Sequence, residues 1–316
     1  MPYDSNAPPQ VTLCDDAAAA ASALEALRRY SYIACDCEGL SLGEVGGSLS
    51  LVSLGGIPGL GGPTHIFLFD APALGAAAFA PVLALLASPA HTKVLYDARM
   101  DWAELAHRHA ARLAPVLDLQ LADVQARAAR GEGAQRQFAR LAPFVPRGDT
   151  ARDPAAFRDV HRLNGLAGAA RDHGLPEGYK PKFDHTVWGR RPLSQGSLDY
   201  AAADIVLIAQ LYGIFVAKGY IDEPRLLEQS ARYMALNKDG LRGPRGGHSL
   251  LPLEILAAPP ALEPTFPCGR CARALSAACF PRGRGPVGEQ TVCWVCRAVA
   301  ANAARREMTQ RLYGDD

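Results

Sequence analysis

The stretch YIACDCEG, residues 32–39, ends an apolar run in two carboxylates separated by one small residue. A strand alternates its faces, so Asp36 and Glu38 project to one side while Cys35 and Cys37 share the other. Two anions held side by side repel each other, and either protonation or a cation between them relieves the repulsion. Three more residues offer related chemistry. Asp101 stands in KVLYDARMDWAEL, where a strand pattern hands over to a helical one. Asp204 lies in the helical stretch SLDYAAADIVLIAQLY, and Tyr200, four residues earlier, sits one turn away on the same helical face.

Taken singly, each residue has an ordinary reading: a helix-terminal acid favoured by the dipole, a solvated carboxylate, a core aromatic with its hydroxyl at the surface. Taken jointly, they supply oxygen ligands suited to two hard divalent cations. Such a pair holds a phosphodiester, generates hydroxide and stabilises the leaving oxygen. A tyrosine hydroxyl one turn from a ligand can orient the attacking water.

The elements that must position these residues are legible in outline. YIACDCEG, SLSLVSLGG (48–56) and THIFLFDA (64–71) read as three strands joined by turns. The glycine-rich IPGLGG between the last two joins strand to strand and has no following lysine, which excludes a nucleotide-phosphate loop. An uncharged helix over 71–90, a strand KVLYDA (93–98), a helix DWAELAHRHAARL and a fifth strand PVLDLQLAD complete an α/β sheet with helical cover. The 71–90 segment has the length of a membrane span, but its three prolines point to a helix packed on the sheet. No membrane partner is expected. The amino terminus lacks the basic and apolar features of a secretory signal, so an intracellular chain is expected. The net charge of +1 means that any polyanion must meet a local basic patch.

The match of these segments, in order, resembles the DEDDy 3′–5′ exonucleases of the ribonuclease D and Werner-exonuclease group over roughly residues 30–215. CDCEG resembles the first motif, KVLYDARMD the second, and DYAAAD the third, a tyrosine-x-x-x-aspartate. WGRRPLSQGSLDYAAAD also resembles the ribonuclease D pattern of tryptophan, arginine-proline-leucine and the tyrosine motif. The wording CDCEG and the DLQL segment are similar to the Egalitarian-like branch, some members of which resemble RNA-binding adaptors that have lost catalytic acids; no acid is lost here. The resemblance implies a ribonuclease H-like, mixed five-stranded sheet with helices on both faces. It implies Asp36, Glu38, Asp101 and Asp204 as ligands of two Mg²⁺ or Mn²⁺ ions, with Tyr200 beside them. It also implies 3′-end hydrolysis of nucleic acid, with RNA favoured over DNA, and a catalytically silent RNA-binding adaptor as the alternative. Asp97 is the rival for the second-motif ligand. Asp118 reads as a strand-end hydrogen-bond acceptor and Trp188 as a packing residue. Candidate backbone contacts are Lys180, Lys182, Arg190 and Arg191.

Five of eight cysteines lie near the carboxyl end. CGRC and CWVC place Cys268, Cys271, Cys293 and Cys296 as two CxxC pairs at near four-thiolate zinc spacing, and one structural Zn²⁺ would supply stability that about fifty residues cannot bury for themselves. Cys279 is off this pattern. The module could serve a protein partner, RNA or a neighbouring domain. The expected organisation is a nuclease domain over 1–235, a linker over 236–264 and a zinc module over 265–316. An arginine-rich segment at about 125–162 exceeds what the minimal family needs.

Overall fold

The computed structural model describes residues 9–60, 62–176, 183–241, 248–281 and 291–313. In chain order the elements are β1 (Gln10–Cys14), α1 (Ala17–Leu27), β2 (Tyr32–Leu40), β3 (Ser48–Gly56), β4 (His65–Asp70), α2 (Ala71–Ala87), β5 (Thr92–Leu95), α3 (Arg99–Arg108), β6 (Val116–Asp118), α4 (Leu119–Ala129), α5 (Ala134–Leu141), α6 (Arg147–Arg152), α7 (Leu166–Asp172), α8 (Gln195–Ala217), α9 (Glu223–Met234), β7 (Thr265–Pro267), β8 (Ala274–Ser276) and α10 (Trp294–Tyr313). They fall into two compact units, one comprising residues 1–126 and 164–246, the other 127–163 and 247–316.

The first unit is built on a six-stranded sheet of order β1-β4-β3-β2-β5-β6, in which β3 alone runs against its neighbours. The expected count of five missed β1, which pairs in parallel with β4 fifty residues later and so leaves no hairpin turn to mark it. The expected fifth strand is also shorter than its apolar run. It stops at Asp118, whose side chain accepts from the Gln120 N–H at 2.9 Å and starts α4 at once. On one face of the sheet Ile33, Cys35, Val52, Leu54, Phe67 and Phe69 pack with α1 and α2 residues such as Leu24, Leu27, Val82 and Leu86. Each of these full burials is worth roughly 1.5–3 kcal/mol for the larger side chains. Asp16 and Asp70 cap the two helices, accepting from Ala19 N and Ala73 N.

The opposite face receives α8. Among the described residues this 23-residue helix alone is apolar and long enough to cross a membrane, but its hydrophobic window is 67% buried within the fold, as befits a core helix.

The second unit joins what the sequence kept apart. Leu141, Phe144, Val145, Phe157 and Val160 share one core with Leu250, Leu253, Leu275, Phe280, Val295 and the cysteines Cys268, Cys293 and Cys296. Arg162 and Leu250 form a β-bridge, with Leu163 N donating to Ser249 O and Leu251 N to His161 O. The arginine-rich segment therefore folds with the cysteine-bearing end of the chain, and Leu250 to Ile255, expected within a linker, contribute four buried apolar side chains.

Candidate active site

Asp36 and Glu38 emerge from β2 on the face that α8 covers. Their register partners on β3 are Ser53 and Leu51, while Ala34, two residues earlier on the same face, lies opposite Gly55. Cys35 and Cys37 point into the other core, 0% and 7% exposed, as small apolar residues. Gly55 lets the helix approach: a Cβ there would stand 2.7 Å from Ile205 Cγ2 of α8. Asp204, the neighbour of Ile205, is thereby brought down onto the acid pair. One carboxylate oxygen from each of Asp36, Glu38 and Asp204 lies within 4.8 Å of the other two. Glu38 and Asp204 are 6% and 3% exposed, so this is a buried concentration of negative charge that a hard cation fits.

Asp101 is not one of those three, yet it is attached to them through the backbone. Its Oδ1 accepts from Cys37 N at 2.8 Å, and Cys37 stands between Asp36 and Glu38 on the strand. Asp101 lies in the first turn of α3, where the dipole favours an acid. Burial pushes its carboxyl up to about 7, against the lowering effect of the backbone N–H groups it accepts from. The turn that delivers α3 is held by Asp118. Its buried carboxylate accepts from Asp97 N, Ala98 N and Gln120 N, at 3.0, 2.9 and 2.9 Å, which is the acceptor role expected of it. Asp97 does not join the acids; both its oxygens engage Arg99, at 2.6 and 2.8 Å. The loop after β2 is pinned by Glu104 Oε2, which accepts from Gly43 N at 2.9 Å and from Arg108 Nε at 3.2 Å.

Tyr200 is 3% exposed. Its ring stacks on Phe183 at 4.4 Å between centroids and meets the edge of His185 at 5.6 Å. Trp188, 1% exposed, packs beside them as expected. Ser50 Oγ donates to the Trp188 carbonyl. Arg191 donates to Ser50 Oγ and grips Asp70 through both Nε and Nη2, each at 2.8 Å, so its guanidinium serves the fold. Arg190 is exposed. Lys180 and Lys182 lie outside the described residues, as do Arg242 and Arg245 of LRGPRGG. Phe183 and Gly55 were not foreseen as supports of the site. The glycine's signal was present, a strand ending in Gly-Gly opposite a buried helix, but only the three-dimensional register gives it meaning.

In the second unit the sulfurs of Cys268, Cys271, Cys293 and Cys296 also lie within 4.8 Å of one another. The knuckle Cys268–Cys271 is the turn of the β7–β8 hairpin, and the second pair straddles the start of α10. Hydrogen bonds from the Cys293 and Cys296 thiols drive Cys271 down to about 2, while the same crowding raises Cys293 and takes Cys296 to about 12. Four sulfurs so placed fit a tetrahedral thiophilic ion. Cys279 stands apart, donating to Glu254 Oε1 at 3.3 Å.

No curated protein matches the chain. Three solved structures of Trypanosoma brucei RNase D resemble its fold. The crystal structure of the RNase D is 21% identical, covers 78% of this chain and 80% of its own, and gives a TM-score of 0.56. The complex with RNA U12 is 20% identical, covers 78% of each chain and gives 0.55. The GMP complex is 18% identical, covers 84% and 83%, and gives 0.54. The family model described as 3′–5′ exonuclease matches residues 11–219, a span that holds the sheet, α8 and all four acids with Tyr200, and the chain belongs to that 3′–5′ exonuclease family.

Proposed function

We propose that the protein removes nucleotides from the 3′ end of RNA by hydrolysis that depends on two Mg²⁺ or Mn²⁺ ions. The observation that carries this reading is the convergence of Asp36, Glu38 and Asp204, from a strand and a distant helix, within 4.8 Å. Asp36, Glu38, Asp101 and Asp204 would hold the ions. When bound, the ions supply the positive charge that makes water nucleophilic at neutral pH and stabilises the leaving oxygen. The chain does the rest. Asp101, fixed by Cys37 N, keeps the second-motif carboxylate in line with the strand acids. The Tyr200 hydroxyl, on a ring gripped by Phe183 and His185, orients the attacking water by hydrogen bonding. Arg190, with Lys180 and Lys182, pairs with backbone phosphates, while Arg191 acts indirectly by holding the Trp188 segment to Asp70. The fold likeness to an RNase D solved with RNA U12 supports RNA over DNA. One structural Zn²⁺ held by Cys268, Cys271, Cys293 and Cys296 stabilises the second unit.

The test is digestion of matched 5′-labelled RNA and DNA with Mg²⁺ or Mn²⁺. The expected result is stepwise shortening of RNA from its 3′ end, abolished by Asp36→Ala. Absence of shortening with either metal, in a chain that still binds RNA, would instead favour the silent adaptor.

A further inference from the structure

Charge is segregated along this chain. The second unit carries sixteen arginines, no lysine and ten carboxylates, a formal net of +6, whereas the first carries seventeen cations and twenty-two carboxylates, a net of −5. A zinc tetrathiolate would take two from the +6 and leave the sign unchanged. The near-neutral total conceals a basic unit that contains none of the catalytic acids.

Within this unit a groove of about 570 Å³ runs between the 144–157 segment and α10. Its floor is apolar and aromatic, with Phe144, Phe157 and Trp294, and its rim carries Arg152, Arg270 and Arg297. Trp294 is half-buried and faces Phe157 at 5.4 Å between centroids, and the Arg297 guanidinium lies 5.7 Å from its ring centre. The two carboxylates in the lining are engaged locally: Asp149 pairs with Arg152 at 3.3 Å and Asp153 caps the following turn by accepting from Ala156 N. Among the described residues Arg270 and Arg297 form no ion pair with an acid, and both are exposed.

We propose that this groove is a second binding site for single-stranded RNA, distinct from the catalytic acids. Arg270 and Arg297 contact phosphates, and Trp294 with Arg297 forms a platform for a base. An acidic peptide would satisfy the charges but leave the aromatic floor without a planar partner, whereas unpaired bases stack on aromatic faces and guanidinium planes. Arginine without lysine fits the same preference, because its planar fork both pairs with phosphate and stacks.

The test measures affinity of the zinc-loaded full chain for a 5′-fluorescein-labelled 20-mer oligouridylate in Ca²⁺. An Asp36→Asn background prevents the probe from being consumed, so the result is readable whether or not the chain digests RNA. Arg270→Glu combined with Arg297→Glu is expected to weaken binding at least tenfold. The milder pair Arg270→Gln and Arg297→Gln should reduce the slope of log K against log salt by about 1.4, the value for two lost single-strand phosphate contacts. Trp294→Leu should weaken binding with that slope intact, provided zinc content is preserved. Affinity within twofold of the parent in the double arginine variants would overturn the proposal. Displacement of the RNA by polyglutamate of equal charge as readily as by unlabelled RNA would overturn it in favour of a protein-binding surface.

Discussion

Asp101 and Cys37 are joined by a hydrogen bond of 2.8 Å from the strand N–H to the helix carboxylate, which couples the second-motif acid to the residue separating Asp36 and Glu38. The first two motifs are thus one mechanical object. The carboxylate is also buried, 6% exposed, and burial is costly for an anion.

Asp101→Asn keeps the acceptor for Cys37 N and removes the charge. Hydrolysis of labelled RNA should fall by at least about a hundredfold, the order expected when an essential electrostatic group is lost. Stability of the metal-free chain should not fall with it. With its folded value near 7 against 3.8 unfolded, Asp101 binds its proton more tightly in the native state, so its contribution to stability diminishes as pH rises from about 4 to 7. Thermal melts across that window should be flatter in the variant than in the parent.

Gly55 sets the distance between sheet and helix. Gly55→Ala puts a methyl 2.7 Å from Ile205 Cγ2 and 3.0 Å from Pro63 Cβ. Overpacking of this kind costs roughly 1–3 kcal/mol. Because Asp204 adjoins Ile205, the loss in kcat should exceed what the drop in melting temperature explains. Adding Ile205→Ala removes the nearer of the two contacts, and a double-mutant cycle should show partial recovery of both quantities beyond additivity.

These two positions show where the sequence was legible and where it was not. The spacing of Asp36 and Glu38 on a strand, and of Tyr200 and Asp204 on a helix, is local periodicity, and each pair could be read directly from its own element. Gly55 facing Ile205 is a contact between elements 150 residues apart, and no local pattern encodes it. The same holds for β1, whose parallel pairing with β4 has no turn signal, and for Phe138 and Phe144, whose apolar faces find their partners only near the cysteines. Lys93, at the start of the KVLYDA strand, is fully buried, donating to the carbonyls of Ser88, His91 and Ala114, partners that no local pattern announces.

The cysteine cluster should contain one zinc ion per chain, measurable by plasma mass spectrometry after gel filtration. Cys271→Ser removes one of the four clustered sulfurs. It should release the metal and unfold the second unit, seen as loss of protection from hydrogen exchange over residues 141–160 as well as 265–281 and 291–300, because these segments share one core.

His161 gives the second unit a pH dependence. Burial, reinforced by the nearby Arg127 guanidinium, lowers it to about 4 from 6.5. The unfolded chain therefore binds more protons between those values, and stability is lost as pH falls through the window, by up to about 3 kcal/mol at its lower end. Urea unfolding of His161→Gln should be less sensitive than the parent between pH 6.5 and 4.5.

The central claim is that Asp36, Glu38 and Asp204 form a cation site. Crystals grown with Mn²⁺ and measured at the manganese edge test it most directly. The account predicts an anomalous peak bounded by oxygens of those three carboxylates at roughly 2.0–2.2 Å, lost in Asp204→Asn. An ordered site in which the three carboxylates hold no metal, or in which Mn²⁺ binds only elsewhere, would contradict it.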